Sequence, residues 1–151
     1  MINPLFFSPT LVARQFLFVR EASIQNTGQR VEAIQKWGGG IKGESWCCYF
    51  ATMVLDICFQ GKSPIPRLGA CQDVYNLAKK NKWLTDNPSQ DDLYLYVNDK
   101  DHAHHIGIIT QNRNGIAGNT SIDGTSSNGN GVYEHALITN PKHLKFIKYP
   151  R

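Results

Sequence analysis

The sequence predicts an α+β domain in which N-terminal helices pack on a C-terminal antiparallel sheet. Two observations lead to this prediction. Apolar residues recur at helical spacing up to about Asn81, whereas beyond Asn87-Pro88 they alternate with a period of two, as in strands. A chain that places its helices first and its strands afterwards is typical of α+β folds with helices packed on an antiparallel sheet.

Helical periodicity predicts four helices. Ser8-Pro9-Thr10 is a typical helix start, and a second helix lies between breaks at residues 26–28 and 38–40, where three glycines predict a mobile connection. The third helix runs from about Ser45 to Phe59, and the fourth from Ala70 or Cys71 to about Asn81. The inward residues expected in the first two helices are Leu11, Val12, Phe16, Val19, Val31 and Ile34.

Strand patterns follow in the second half of the chain. Asp92, just before the first strand, is interpreted as a turn or cap residue. Residues 119–131 are rich in Gly, Asn and Ser and predict a loop. The expected strands are Leu93–Val97, Ile106–Ile109, a short one at Ile116, Val132–Ile138 and Leu144–Tyr149.

The chain length and composition bound the range of functions. The 151 residues suit a single domain spanning 1–151, and 41% hydrophobic with 19% charged residues is typical of a soluble globular protein. The net charge of +4 is mild, and its lysines and arginines form no base-reading motif, so we expect no nucleic-acid binding. No apolar run approaches the roughly 18 residues of a membrane span, so no membrane insertion is expected.

The start of the third helix carries the feature that organises the chain, Trp46-Cys47-Cys48. A helix N-terminus presents unpaired N–H groups and about half a positive charge, and it can lower a cysteine pKa to roughly 3.5–7.5. Consecutive helical residues lie about 100° apart around the axis. We therefore expect Cys48 to face the core and Cys47 to face a cleft as a thiolate. The alternative is that both are small buried apolar residues.

Two later segments offer the partners that a reactive thiol needs. His105 leads into the apolar strand residues 106–109, and Asn119 ends a strand edge at 116–119. Cysteine, histidine and asparagine can act as a nucleophile, a base and a group that orients the base. His102 and His104 lie on the other strand face from His105, and the apolar run after His105 favours it over His104 as the base.

These motifs resemble the CHAP family, the cysteine, histidine-dependent amidohydrolases and peptidases. The similar stretches are Trp46-Cys47, His105-Ile106-Gly107-Ile108, Gly118-Asn119-Thr120-Ser121 and Gly131-Val132-Tyr133, and the CHAP-like core spans about 20–150. The resemblance implies a papain-like fold. It also implies cleavage of an amide bond of bacterial peptidoglycan through a thioester intermediate, as in phage lysis enzymes.

The resemblance also implies roles for individual residues, with no metal or other cofactor required. Two positions depart from the family pattern: Ala117 stands where relatives often carry an acidic residue, and Cys48 where a small unreactive residue is usual. Catalysis is assigned to Cys47 as nucleophile, His105 as base and Asn119 as orienting group, and substrate contact to Trp46, Thr120 and Ser121.

The expected setting follows from the N-terminus and the charge. Residues 1–4 lack a basic n-region, and Arg14, Arg20 and Glu21 interrupt the apolar residues that follow, so no signal peptide is predicted. We expect a monomer made in the bacterial cytoplasm that acts at the cell wall or periplasm after release or delivery. Its expected partner is peptidoglycan, an anionic surface that a positive charge favours.

Three alternatives remain open from the sequence. The same chemistry suits a peptidoglycan amidase toxin delivered between bacteria. A non-catalytic wall-binding or structural module of the same fold is a second alternative, and a metal protein using His102, His104 and a cysteine is a third. The four cysteines are expected to be reduced, because Cys47 and Cys48 are adjacent and a chain of this size needs no disulfides.

Overall fold

The computed structural model of the chain describes residues 4–120 and 130–151. Over these ranges no helix is long and apolar enough to cross a membrane. The helices are α1 Pro9–Arg14, α2 Gln29–Trp37, α3 Cys47–Cys58 and α4 Cys71–Asn81. The strands are β1 Leu84–Thr85, β2 Leu93–Val97, β3 Ala103–Ile109, β4 Asn114–Thr120, β5 Gly131–Ala136 and, after a 3₁₀ turn at Pro141–His143, β6 Leu144–Ile147.

The six strands of the described residues form one antiparallel sheet in the order β1-β6-β2-β3-β4-β5. Helix α3 packs on β3 and β4, α4 packs on β3, and α1 contacts both β3 and β4. The predicted α+β class, with helices first and an antiparallel sheet afterwards, is confirmed.

Helix α3 is the centre of the hydrophobic core. Every residue of this helix except Asp56 and Ile57 is buried. The sheet covers one side of the helix, and α1 and α2 cover others. A helix that is apolar all round is stable only when it is covered in this way, since each fully buried large apolar side chain contributes about 1.5–3 kcal/mol.

Helix α1 is shorter than its sequence pattern suggests, and a different face of the helix points to the core. It ends at Arg14, and Leu11, which was expected to face inward, is 58% exposed. The reason is a buried hydrogen bond, in which the Thr10 hydroxyl donates to the carbonyl of Ile109 at 3.1 Å. That bond turns Thr10 and Ala13 toward β3, and Leu11 then faces the solvent.

Gly38 and Gly40, which follow α2, are packing residues, whereas Gly39 between them has a positive φ and open space around it. A Cβ atom at Gly38 or Gly40, or at Gly69 before α4, would overlap the ring of Tyr49. The Tyr49 hydroxyl donates to Glu44 at 2.7 Å and fixes the ring among them. Their absent side chains therefore make room for an aromatic ring, where the sequence had suggested only a mobile connection.

Two adjacent aspartates hold the chain ends against the sheet. The Asp91 carboxylate accepts hydrogen bonds from the backbone of Thr10 at 2.9 Å and so supports the start of α1. Asp92 is fully buried and pairs with Lys148 at 3.1 Å and Arg151 at 2.8 Å. It also accepts from the backbone N–H of Ser89, which fits its interpretation as a structural turn residue.

Gly118→Ala tests how tightly the sheet packs on the start of α3. A Cβ atom at Gly118 would lie 2.5 Å from the Trp46 ring, so we expect a loss of about 1–3 kcal/mol in the free energy of unfolding. Urea unfolding followed by tryptophan fluorescence measures it. The control is Ala136→Ser at the exposed end of β5, which adds one heavy atom and should change stability by less than about 0.5 kcal/mol. Equal stabilities of the two variants would contradict this packing.

Candidate functional site

Cys47 is the first residue of α3 and lines a cavity of about 230 Å³ that opens to solvent between α3, α4 and β3. Its side chain is only 4% exposed, and that of Cys48 is fully buried. The two neighbouring side chains therefore differ in where they point, as expected, since Cys47 lines the cavity and Cys48 does not. The residues that share the cavity with Cys47 are Ser45, Gly69, Ala70, Cys71, Gln72, His102, Ala103 and His104.

Cys47 is in contact with a second thiol. Its sulfur lies 3.6 Å from that of Cys71, which is the first residue of α4. The hydrogen bond with Cys71 and burial raise the pKa of Cys47 well above its ordinary value. The prediction of a lowered pKa is therefore wrong, because contact with a neutral thiol and loss of solvent outweigh the helix N-terminus. Cys47 is a neutral thiol at physiological pH.

His105 is the group that opposes this shift. Hydrogen bonding with His105 and the charge of its imidazole both lower the pKa of Cys47, although by less than Cys71 and burial raise it. Cys47 and His105 are therefore neighbours, although His104, not His105, lines the cavity with Cys47. A bulge lies directly before His105 in β3, because Tyr96 pairs with His105 and Val97 with Ala103. His104 is the extra residue, and the strict face alternation assumed for this strand does not hold there.

His105 lies among aromatic rings of the sheet. Its ring centroid is 5.2 Å from that of Tyr96, 6.0 Å from that of Tyr94 and 6.5 Å from that of His135. The Tyr94 hydroxyl and His135 Nε2 are 3.1 Å apart, and His135 Nδ1 lies 2.9 Å from the carbonyl of Ala136. Because a carbonyl only accepts, Nδ1 carries a proton, and in neutral His135 the Nε2 atom accepts from Tyr94.

Tyr94 and His135 were not identified from the sequence. The strand alternation in β2 could have placed Tyr94 on the same face as Tyr96, since residues two apart share a face. The position of His135 depends on the pairing of β5 with β4, where it stands opposite Gly115. A Cβ atom at Gly115 would overlap the Tyr94 ring, so glycine there lets the tyrosine reach across to His135.

Asn119 holds the start of α3. Its side-chain oxygen accepts from the backbone N–H of Trp46 at 2.7 Å and from the Ser45 hydroxyl at 3.0 Å. Its backbone is in the left-handed region, with φ of 61°, which asparagine tolerates better than most residues. The oxygen that was expected to accept a hydrogen bond from His105 therefore already accepts two hydrogen bonds at the start of α3. The orienting role of Asn119 stays a prediction.

The three expected substrate contacts have different outcomes. Trp46 is fully buried, its indole N–H donates to Glu21 at 2.9 Å, and its ring lies against Gly118. It has no side-chain surface to offer a substrate, so the structure assigns it to packing. Thr120 ends β4, is half-buried and pairs with Gly131. Ser121 lies outside the described residues.

Within residues 4–120 and 130–151, no three His, Cys, Asp or Glu side chains converge as a metal site would require. Comparisons with family models, with curated proteins and with solved structures find no match to the chain.

Asn119→Ala should lower the stability of the protein. It removes the acceptor of the Trp46 N–H, and it places alanine at a positive φ, which alanine tolerates less well than asparagine. We therefore expect the free energy of unfolding to fall by about 1–2 kcal/mol, as for other acceptors at helix starts. Urea unfolding measures it. Asn119→Asp keeps the acceptor and should retain most of the stability. If both variants unfold at the wild-type urea concentration, Asn119 does not anchor α3.

The alkylation rate of Cys47 should rise with pH without levelling off near pH 8.5, the ordinary midpoint for cysteine. Only the thiolate reacts, and the raised pKa keeps its fraction small, so the rate should grow about tenfold per pH unit. Iodoacetamide labelling of Cys47, read by mass spectrometry between pH 6 and about pH 9.5, measures it.

Cys71→Ala provides the comparison. It removes the largest cause of the raised pKa, so the whole pH–rate curve of Cys47 should move to lower pH. The readout is whether the curve begins to level off within the measured pH range, because on its rising part better access and a lower pKa both raise the rate equally at every pH. A curve that keeps its position would show that Cys71 does not control the pKa of Cys47. Cys58, whose pKa burial raises to about 12, is the internal reference.

Proposed function

We propose that this protein hydrolyses an amide bond of bacterial peptidoglycan by acyl transfer to Cys47. The observation that carries the proposal is the arrangement of Cys47 at the first residue of α3, beside an open cavity and under the influence of His105. A thiol, an imidazole and the N–H groups of a helix start are the parts that thiol-dependent acyl transfer requires.

The neutral thiol defines the first chemical step. Because the pKa of Cys47 is raised, the thiol keeps its proton until substrate is bound. His105 then acts as a general base: it removes the proton as the sulfur attacks the amide carbonyl, and it later protonates the leaving amine. Water attacks the resulting thioester, with His105 again as base, and releases the free acid and the thiol.

The first turn of α3 supplies a place for the negative oxygen of the tetrahedral intermediate. The N–H groups of Cys47, Cys48 and Tyr49 precede the first intrahelical bond, which runs from Phe50 N–H to the carbonyl of Trp46. Asn119 accepts from Trp46 N–H and so holds this end of the helix in place. A fixed donor near a buried site stabilises developing charge more than water does.

Support for peptidoglycan as substrate comes from the motifs and the charge. The Trp46-Cys47 pair and the strand that begins at His105 are similar to those of the CHAP family, whose papain-like domains cleave such bonds. The net charge of +4 favours approach to an anionic wall. A phage lysis enzyme is the setting we favour, and a toxin delivered between bacteria would use the same chemistry.

The test is digestion of purified peptidoglycan by the reduced protein, followed by fragment masses and new free amines. Cys47→Ala should lower turnover by several orders of magnitude, since loss of a nucleophile can cost on the order of 10⁶. Cys48→Ala is the matched control at the adjacent position and should keep most activity. Fragment masses also identify which amide bond is cut.

The base is tested in the same assay. His105→Ala should lose nearly all turnover, whereas His104→Ala, which changes the neighbouring cavity histidine, should lose much less. Full activity of Cys47→Ala would end the proposal. Absence of cleavage with retained binding to the wall would favour a non-catalytic module. Loss of activity to a chelator, restored by zinc alone, would favour the metal alternative.

A further inference from the structure

We propose that Cys47 and Cys71 form an oxidative modification site, in which a hydroperoxide converts the two thiols into a disulfide. All four cysteines of the chain are free thiols in the structure. Only the consequence of the disulfide for activity depends on the function proposed above, because a disulfide removes the sulfur that would attack the substrate. The chemical modification itself is independent of that function.

The geometry of the two thiols carries the proposal. Their sulfurs are 3.6 Å apart, and they occupy the first residue of α3 and the first residue of α4. A disulfide requires a sulfur–sulfur distance of about 2.05 Å, so an approach of roughly 1.5 Å is needed. Cys71 follows residues 62–70, a segment without helix or strand that is largely exposed except at the buried Ile65.

The cavity gives a small oxidant access to both sulfurs. Cys47 and Cys71 are 4% and 7% exposed, yet both line the cavity of about 230 Å³. Exposed residues form its rim, among them Ser45, Ala70 and His104. A hydroperoxide is far smaller than this volume, whereas Cys58 lies fully buried in the core and lines none of it.

The reaction proceeds in two balanced steps. The Cys47 sulfur attacks one oxygen of hydrogen peroxide, the O–O bond breaks, and the products are a sulfenic acid and water. The Cys71 sulfur then attacks the Cys47 sulfur, the S–O bond breaks and a second water leaves. Two thiols are oxidised to one disulfide, and one peroxide is reduced to two waters. Cys47 is placed as the first thiol to react because it lines the cavity and has His105 beside it to accept its proton.

The neighbouring Cys48 is the competitor that the test must separate. Hydrogen bonding with Cys47 lowers the pKa of Cys71, but Cys48 and burial together raise it above its ordinary value. Cys48 therefore also stands close to Cys71. It lines none of the cavity and is fully buried, which disfavours its reaction with an oxidant that enters there.

The experiment treats the folded, reduced protein with hydrogen peroxide, blocks remaining thiols and maps the tryptic peptides by mass spectrometry. Trypsin leaves Cys47, Cys48 and Cys58 on one peptide and Cys71 on another, so a link between the two is directly visible. We expect the alkylatable thiols to fall from four to two, with both peptides joined. Dithiothreitol should restore all four.

Three variants identify the linked residues. The joined peptides should persist in Cys48→Ala and in Cys58→Ser, which is the matched control at a buried cysteine outside the cavity. They should disappear in Cys71→Ser, where peroxide should instead leave Cys47 as sulfenic or sulfinic acid. Four alkylatable thiols after peroxide, or a link that requires Cys48 or Cys58, would overturn the proposal.

Wall cleavage measured before and after peroxide separates this proposal from the proposed function. Activity of the wild type should be lost with the appearance of the disulfide and recovered with dithiothreitol. Activity that persists in protein with a complete Cys47–Cys71 link would show that Cys47 is not the nucleophile, while leaving the modification site intact. If the reduced protein cleaves the wall but peroxide never produces the Cys47–Cys71 link, the proposed function stands and the proposed modification site is wrong.

Discussion

The burial of ten of the twelve residues of α3 is the constraint on which the rest of the structure depends. Its apolar residues need the sheet on one side and α1 and α2 on others, and any rotation of the helix would expose some of them. The first residue, Cys47, is therefore fixed relative to β3. Asn119 adds a second restraint, because its side chain ties the backbone of Trp46 to the end of β4. The position of Cys47 is therefore determined by the packing of α3 and by this hydrogen bond.

Several residues of the recognised motifs contribute packing and no chemistry. Trp46 lies against Gly118, and a side chain at either Gly107 or Gly115 would overlap the ring of Tyr94. Each pair sets an aromatic ring directly on a strand, and the Trp46–Gly118 pair also brings the start of α3 close to β4. These motif positions thus contribute to packing. The proposed chemistry rests on the smaller set of Cys47 and His105.

The elements of the fold could be predicted wherever the chain has a long periodic pattern. Helices α2, α3 and α4 lie close to their expected bounds, because apolar spacing and flanking glycines mark them clearly. β1 was missed because two residues show no period, and β4 is longer than the short strand expected at Ile116. The exposure of Leu11 depends on a hydrogen bond from Thr10 to Ile109, across a separation of 99 residues. No local pattern reports such a bond.

The sequence predicted which residues form the site better than it predicted their pKa values. The motifs placed Cys47 and His105 in one site, but Cys71, 24 residues further along the chain, reverses the expected direction of the Cys47 pKa. That reversal changes the demand on His105. In the proposed reaction a resting ion pair would leave His105 only the later proton transfers to the leaving amine and from water, whereas a neutral thiol makes proton removal part of the attack itself. Burial that disfavours the thiolate also reduces screening by water, so the same environment that keeps Cys47 protonated at rest strengthens its interaction with His105 in the proposed reaction.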